Sequence, residues 1–141
     1  ITQAQALGAP SILKFGLEPL PTAYLVIGEG TSAWFVGSAR GIPFEKPKIA
    51  AAYALAAQFF GMRFVYLEAG SGAKSTVTPE MVKTVRHVFN GFLIVGGGIK
   101  DVETAKKLVM AGADALVIGT FIEKGGSLEK LTEIAKAIQS R

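Results

Sequence analysis

Glu68 stands at the end of an apolar run, and a turn of small residues follows it. The stretch reads Tyr66-Leu67-Glu68-Ala69-Gly70-Ser71-Gly72, then Ala73, Lys74, Ser75 and Thr76. Two glycines, a lysine and three serine or threonine hydroxyls behind a hydrophobic segment suggest a nucleotide loop. The spacing rules it out. A P-loop places glycine directly before its lysine, so that the backbone curls tightly and brings the ammonium over the phosphates. Here Ala73 separates Gly72 from Lys74, and the ATP or GTP reading is rejected. What survives is a flexible glycine turn with a carboxylate at its base. Lys74 is then expected to be a surface residue.

Two further glycine clusters carry similar chemistry. Gly96, Gly97 and Gly98 precede Ile99, Lys100 and Asp101, while Gly119 and Thr120 close the last apolar run. Glycine at such points lets the backbone approach a ligand, and free N–H groups near helix starts bind anions. One glycine cluster says little, because turns use glycine anyway. Two of them at the ends of successive strands predict a phosphate site. A carboxylate beside a phosphate is repelled unless it accepts a hydrogen bond or a proton from the ligand. A phosphorylated alcohol supplies such a hydroxyl. Glu68 is therefore a candidate general base or hydroxyl orienter, the alternative being a solvated strand-end glutamate. His87, between Arg86 and Val88 in a helical pattern, is read as peripheral.

These groups need elements to position them. Thr22–Gly28, Arg63–Ala69, Phe92–Gly98 and Ala115–Thr120 are short apolar runs that end in or near glycine. Nearly continuous hydrophobicity suits buried parallel strands. Helical patterns separate them. Pro47 can open the first of these, with Gly61 as its stop. Thr78, Asp101 and Ser127 can cap the others. The periodicity turns Met81, Val85, Val88 and Phe89 inward, then Val102, Ala105, Leu108 and Val109, then Leu128, Leu131, Ile134 and Ile138. One more helix is expected within Thr2–Phe15. The order βαβαβαβα implies parallel pairs with right-handed crossovers. That leaves an open doubly wound sheet or about half of a (β/α)8 barrel, because a whole barrel takes roughly 250 residues. Both folds place their sites at the carboxyl ends of strands. Gly28–Pro47 breaks the rhythm as a long glycine-rich insert carrying Trp34 and Arg40. Trp34 is expected to pack that loop down.

Composition narrows the class. The 141 residues suffice for one domain, and half of them are hydrophobic against 18% charged, too apolar for a disordered chain. No apolar run reaches the roughly 18 residues that cross a membrane, and the first residues lack the pattern of a signal peptide. Without cysteine, disulfide and thiolate chemistry are excluded, and a cytoplasmic location is the expectation. The net charge is +4, but Lys83, Arg86, Lys100, Lys106, Lys107, Lys130 and Lys136 are dispersed, mostly over expected helical faces. A nucleic-acid footprint would be clustered, so no nucleic acid is expected as partner.

Taken together, "SARGIPFEKPKIAAAYALAAQFFGMRFVYLEAGSGA" and "VGGGIKDVETAKKLVMAGADALVIGT" resemble the geranylgeranylglyceryl phosphate synthases. The resemblance runs over essentially the whole chain, and "YLEAGSG" is its specific part. It implies a (β/α)8 barrel that transfers a geranylgeranyl group from geranylgeranyl diphosphate to the C3 hydroxyl of sn-glycerol 1-phosphate, with Mg2+. It implies that Tyr66, Leu67, Glu68, Ala69, Gly70, Ser71 and Gly72 surround glycerol 1-phosphate, with Glu68 polarising the attacking hydroxyl and Tyr66 beside it. Gly97 and Gly98 would offer N–H groups to the phosphate, and Gly119 and Thr120 would complete the cradle. The resemblance also implies that residues 1–141 are the C-terminal part of one barrel, four βα units after a helix, with the metal ligands elsewhere. A half-barrel exposes strand faces, so a partner half-barrel or a homo-oligomer is expected. Two alternatives stay open. One is another phosphate-binding barrel enzyme, an isomerase or lyase of sugar phosphates. The other is a non-catalytic phosphate-binding half-barrel.

Overall fold

The computed structural model describes residues 3–119, 123, 125 and 127–139. Strands β1 (Thr22–Val26), β2 (Phe64–Glu68), β3 (Phe92–Gly96) and β4 (Ala115–Val117) form one parallel sheet in the order β1-β2-β3-β4. Consecutive order without a reversal is the barrel pattern, since a doubly wound sheet has a switch point. The register is even: Tyr24 lies opposite Tyr66, which lies opposite Ile94, and Val26, Glu68 and Gly96 form the next row.

Alternation along each strand divides the sheet into two faces. Val65, Leu67, Leu93 and Val95 lie on one face and are completely buried. Helices α3 (Pro47–Phe59), α4 (Pro79–Val88) and α5 (Val102–Met110) complete the same core through Ala50, Ala54, Met81, Val85, Ala105 and Leu108. Burial of each Val or Leu contributes about 1.5–3 kcal/mol. The other face carries Tyr24, Tyr66, Ile94 and Val117, and it stays partly open.

The helices start where local chemistry sets them. Pro79 opens α4, and the Thr78 hydroxyl accepts the Met81 N–H at 3.2 Å. Asp101 accepts the Thr104 N–H at 2.7 Å and the Thr104 hydroxyl at 3.0 Å, which holds its carboxyl below the usual carboxylate range. Arg86 anchors the end of α4: its guanidinium donates to Gly91 O and meets Asp114, which also accepts the Leu93 N–H at 2.8 Å. Ser127 accepts the Lys130 N–H ahead of the last helix, α6 (Leu128–Gln139).

Two expectations need correction. The insert after β1 is not all loop: it holds a short helix, α2 (Ser32–Val36), whose first turn is capped by Thr31. Leu128 is 80% exposed rather than inward. A helical side chain covers the surface behind its own Cα, and in the first turn of α6 that surface lies beyond the packed part of the helix. Ile134 instead carries the burial of α6. The helix expected within Thr2–Phe15 forms as α1 (Gln3–Lys14), and every residue from Gln5 to Leu20 is exposed, including Leu7, Leu13 and Phe15. Among the described residues no helix is long and apolar enough to cross a membrane.

Candidate active site at the carboxyl ends of the strands

Glu68 ends β2 on the open face, yet its side chain is only 7% exposed. A buried carboxylate is costly unless donors satisfy it. Here the Gly70 N–H donates to Oε1 at 2.5 Å, and the hydroxyls of Tyr24 and Tyr66 both hydrogen-bond the carboxylate. The two tyrosine rings meet edge to face, 4.9 Å between centroids. Burial, the charge of Glu68 and the hydrogen bond to it push Tyr24 up to about 12. Burial, the hydrogen bond to Glu68 and its charge push Tyr66 higher still. Both phenols therefore keep their protons at neutral pH and act as donors. They aim the carboxylate, and Oε1 is further fixed by the turn.

Opposite this group stands the glycine turn after β3. Gly97 has φ +84°, and a Cβ there would lie 2.5 Å from Gly70 N and 2.7 Å from Glu68 Oε1. Gly98 has φ +70°, and its Cβ would lie 2.7 Å from Ser75 O. Only glycine fits this packing of the two turns, for conformation and for space together. The turns enclose a cleft of about 650 Å3.

The cleft gathers most of the expected residues: Tyr66, Glu68, Ser71, Gly72, Gly97, Gly98 and Gly119 all line it. Gly70 contributes through its N–H to Glu68. The side chains of Leu67 and Ala69 lie elsewhere. Strand alternation turns them to the helix-covered face, where they are buried in the core, so neither side chain faces the cleft. Thr120 lies outside the described residues. Lys74 is exposed as expected, and it also lines the cleft. Trp34 is half-buried beside Phe35 and is not part of the lining, whereas Ser32 and Ala33 of α2 are. His87 is exposed on α4, beside the groove with α3.

Reasoning from the sequence missed Tyr24 and Lys100. A signal for Tyr24 was present. Tyr24-Leu25-Val26-Ile27-Gly28-Glu29-Gly30 and Tyr66-Leu67-Glu68-Ala69-Gly70-Ser71-Gly72 share the spacing Tyr-Leu-x-x-Gly-x-Gly. In neighbouring parallel strands that repeat places the tyrosines side by side, as the register shows. Lys100 comes to the same cleft as Lys74 only through the fold and had no comparable signal.

A parallel sheet covered by helices on one face, with a cleft holding Glu68 and the glycine turns at the carboxyl ends of its strands, defines a protein of the (β/α)8-barrel class. Residues 1–138 match the PcrB family, and the chain belongs to that family. It is 89% identical over 139 residues to the geranylgeranylglyceryl phosphate synthase of Nitrosopumilus maritimus, covering 99% of this chain and 56% of the relative. The synthase of Pyrococcus horikoshii is 57% identical over 140 residues, covering 99% and 55%. Among solved structures, (S)-3-O-geranylgeranylglyceryl phosphate synthase from Thermoplasma acidophilum, in complex with its substrate sn-glycerol-1-phosphate, matches with a TM-score of 0.92 at 41% identity. That match covers 97% of this chain and 56% of the solved one. The chain thus spans a little over half the length of these relatives.

Proposed function

We propose that this chain is the glycerol-phosphate-binding, C-terminal part of a prenyltransferase. The enzyme would join the C3 hydroxyl of sn-glycerol 1-phosphate to the geranylgeranyl group of geranylgeranyl diphosphate. The observation that carries the reading is Glu68, held by Tyr24, Tyr66 and the Gly70 N–H against the glycine turn of Gly97 and Gly98. The phosphate would sit on the N–H groups of Gly97 and Gly98, with Gly119 and Thr120 closing the cradle. The C3 hydroxyl would then reach the Glu68 carboxylate. A bond forms between the C3 oxygen and the allylic carbon, the bond from that carbon to diphosphate breaks, and the hydroxyl proton passes to Glu68. The allylic carbon develops cationic character, so a positioned carboxylate suffices as base. The 89% and 57% identical relatives, both named as this synthase, support the same reading.

Mg2+ belongs to the reading through the resemblance, where it would neutralise the departing diphosphate. Among the described residues no three of His, Asp or Glu group closely enough to hold a metal ion. These residues do not fit the ion, and no step here depends on it.

The test is Glu68→Gln in the full-length enzyme, assayed for ether product from the two proposed substrates. Turnover should fall about 100-fold or more, with the KM for glycerol 1-phosphate within a few-fold of wild type. Lost binding with unchanged turnover would remove the base role. Wild-type turnover of a sugar phosphate but not of glycerol 1-phosphate would replace the reaction itself.

A further inference from the structure

Lys74 and Lys100 come from different loops, after β2 and after β3, and both line the cleft beside Gly97 and Gly98. Three other cations are engaged: Arg86 with Asp114 at 3.0 Å, Lys107 with Glu103 at 2.7 Å and Arg63 with Glu18 at 3.6 Å. Among the described residues neither Lys74 nor Lys100 has an ion-pair partner. Among the described residues Glu68 is the one carboxylate of the lining, and Glu123 stands beside Gly119. Nor does the start of α5 supply free attraction for an anion. The Asp101 carboxylate occupies its N–H groups, which neutralises that end of the helix dipole.

A phosphate monoester entering this cleft meets the negative charge of Glu68. Backbone N–H groups favour an anion but carry no net charge to offset that of Glu68. A phosphate monoester has its second pKa at about 6 and is mostly dianionic at neutral pH. Ammonium groups on flexible stems act as point charges that follow such an anion.

We propose that Lys74 and Lys100 form a cationic pair that draws a phosphate monoester dianion to the glycine-lined end of the cleft. The pair sets the preference for that dianion over singly charged or neutral alcohols. This rests on the phosphate-ester reading of the proposed function and adds to it the groups that supply the charge. Because both lysines are exposed, their pull is screened by salt, over about 10 Å at 0.1 M.

The experiment uses the full-length protein with Lys74→Ala, Lys100→Ala, the double variant and the two Lys→Arg variants. Lys106→Ala, on the exposed surface of α5, serves as the control. Two quantities are measured across ionic strength: calorimetric binding of inorganic phosphate, and KM with kcat for glycerol 1-phosphate and for geranylgeranyl diphosphate. Each Ala variant should weaken phosphate binding and raise the KM for glycerol 1-phosphate about threefold, and the double variant about tenfold. The salt dependence should flatten with each lysine removed, kcat should change less than KM, and arginine should restore the loss. Unchanged phosphate binding, an unchanged salt slope, or a KM effect confined to the prenyl diphosphate would overturn the proposal. If glycerol 1-phosphate is not turned over but phosphate binding still depends on both lysines, the reaction assignment fails and the lysine pair stands.

Discussion

The two faces of the sheet are built from the same strands and alternate residues, yet they meet opposite surroundings. Leu67 and Leu93 on one face are sealed under α3, α4 and α5. Tyr24 and Phe92 on the other are 51% and 43% exposed. The covered face is apolar throughout and has no chemistry to offer. The open face is graded: aromatic rings at its base, then the tyrosine row, then Glu68 beside glycine. The difference separates what holds this chain together from what it can do. Substitutions on the first face should cost stability, and those on the second should cost activity.

The largest effect tests that separation directly. Leu67→Ala removes a fully buried side chain, and urea unfolding of the 141-residue chain should show a loss of about 3 kcal/mol. Phe92→Ala takes away a half-exposed ring whose main neighbour is Phe64 at 5.8 Å. It should cost about 1 kcal/mol. Equal losses would mean that the open face is covered in solution, by a second copy or by other protein.

A smaller effect should appear at the boundary of the two faces. Gly97→Ala forces a left-handed backbone on alanine and drives a methyl against Gly70 and Glu68. The strain amounts to about 1–2 kcal/mol. Activity of the full-length enzyme should fall at least about tenfold, because the carboxylate and the turn that holds it are displaced together. A variant of wild-type activity would detach the glycine turn from the site.

The same contrast explains what the sequence disclosed. The caps at Thr78, Asp101 and Ser127 were legible because each bonds a residue only three positions away. Glu68, Gly97 and Gly98 were legible because glycine turns mark the ends of apolar strands. Leu67 and Ala69 were assigned to the site by contiguity, and the two-residue period of the strand put them on the other face. The helix in the insert was obscured by its flanking glycines, although Thr31 gave it an ordinary cap. Tyr24 depended on pairing across strands 42 residues apart, visible only once the repeated Tyr-Leu-x-x-Gly-x-Gly spacing is set in register. The placing of Lys74 and Lys100 on one cleft required the packing of two loops, which no local pattern encodes.

The smallest effect concerns protons on the open face. Tyr24 rises from an ordinary 10.0 to about 12, and Tyr66 moves in the same direction. A raised pKa in the folded state stabilises the fold fully below the unfolded value and loses that contribution as pH climbs through the folded value. These tyrosines therefore support the fold below pH 10, and the support fades as pH approaches 12. The chain has three tyrosines, so Tyr53→Phe leaves only this pair to report by phenolate absorbance. In that background little phenolate should form in the folded protein until pH passes well above 10. Glu68→Gln should then bring Tyr24 only part of the way back, because burial is the largest cause of its shift and the charge of Glu68 the second. A complete return on losing Glu68 would make the row a solvated one governed by charge alone. No shift in the parent would mean that the phenols do not donate to Glu68, and the open face would lose the device that aims its carboxylate.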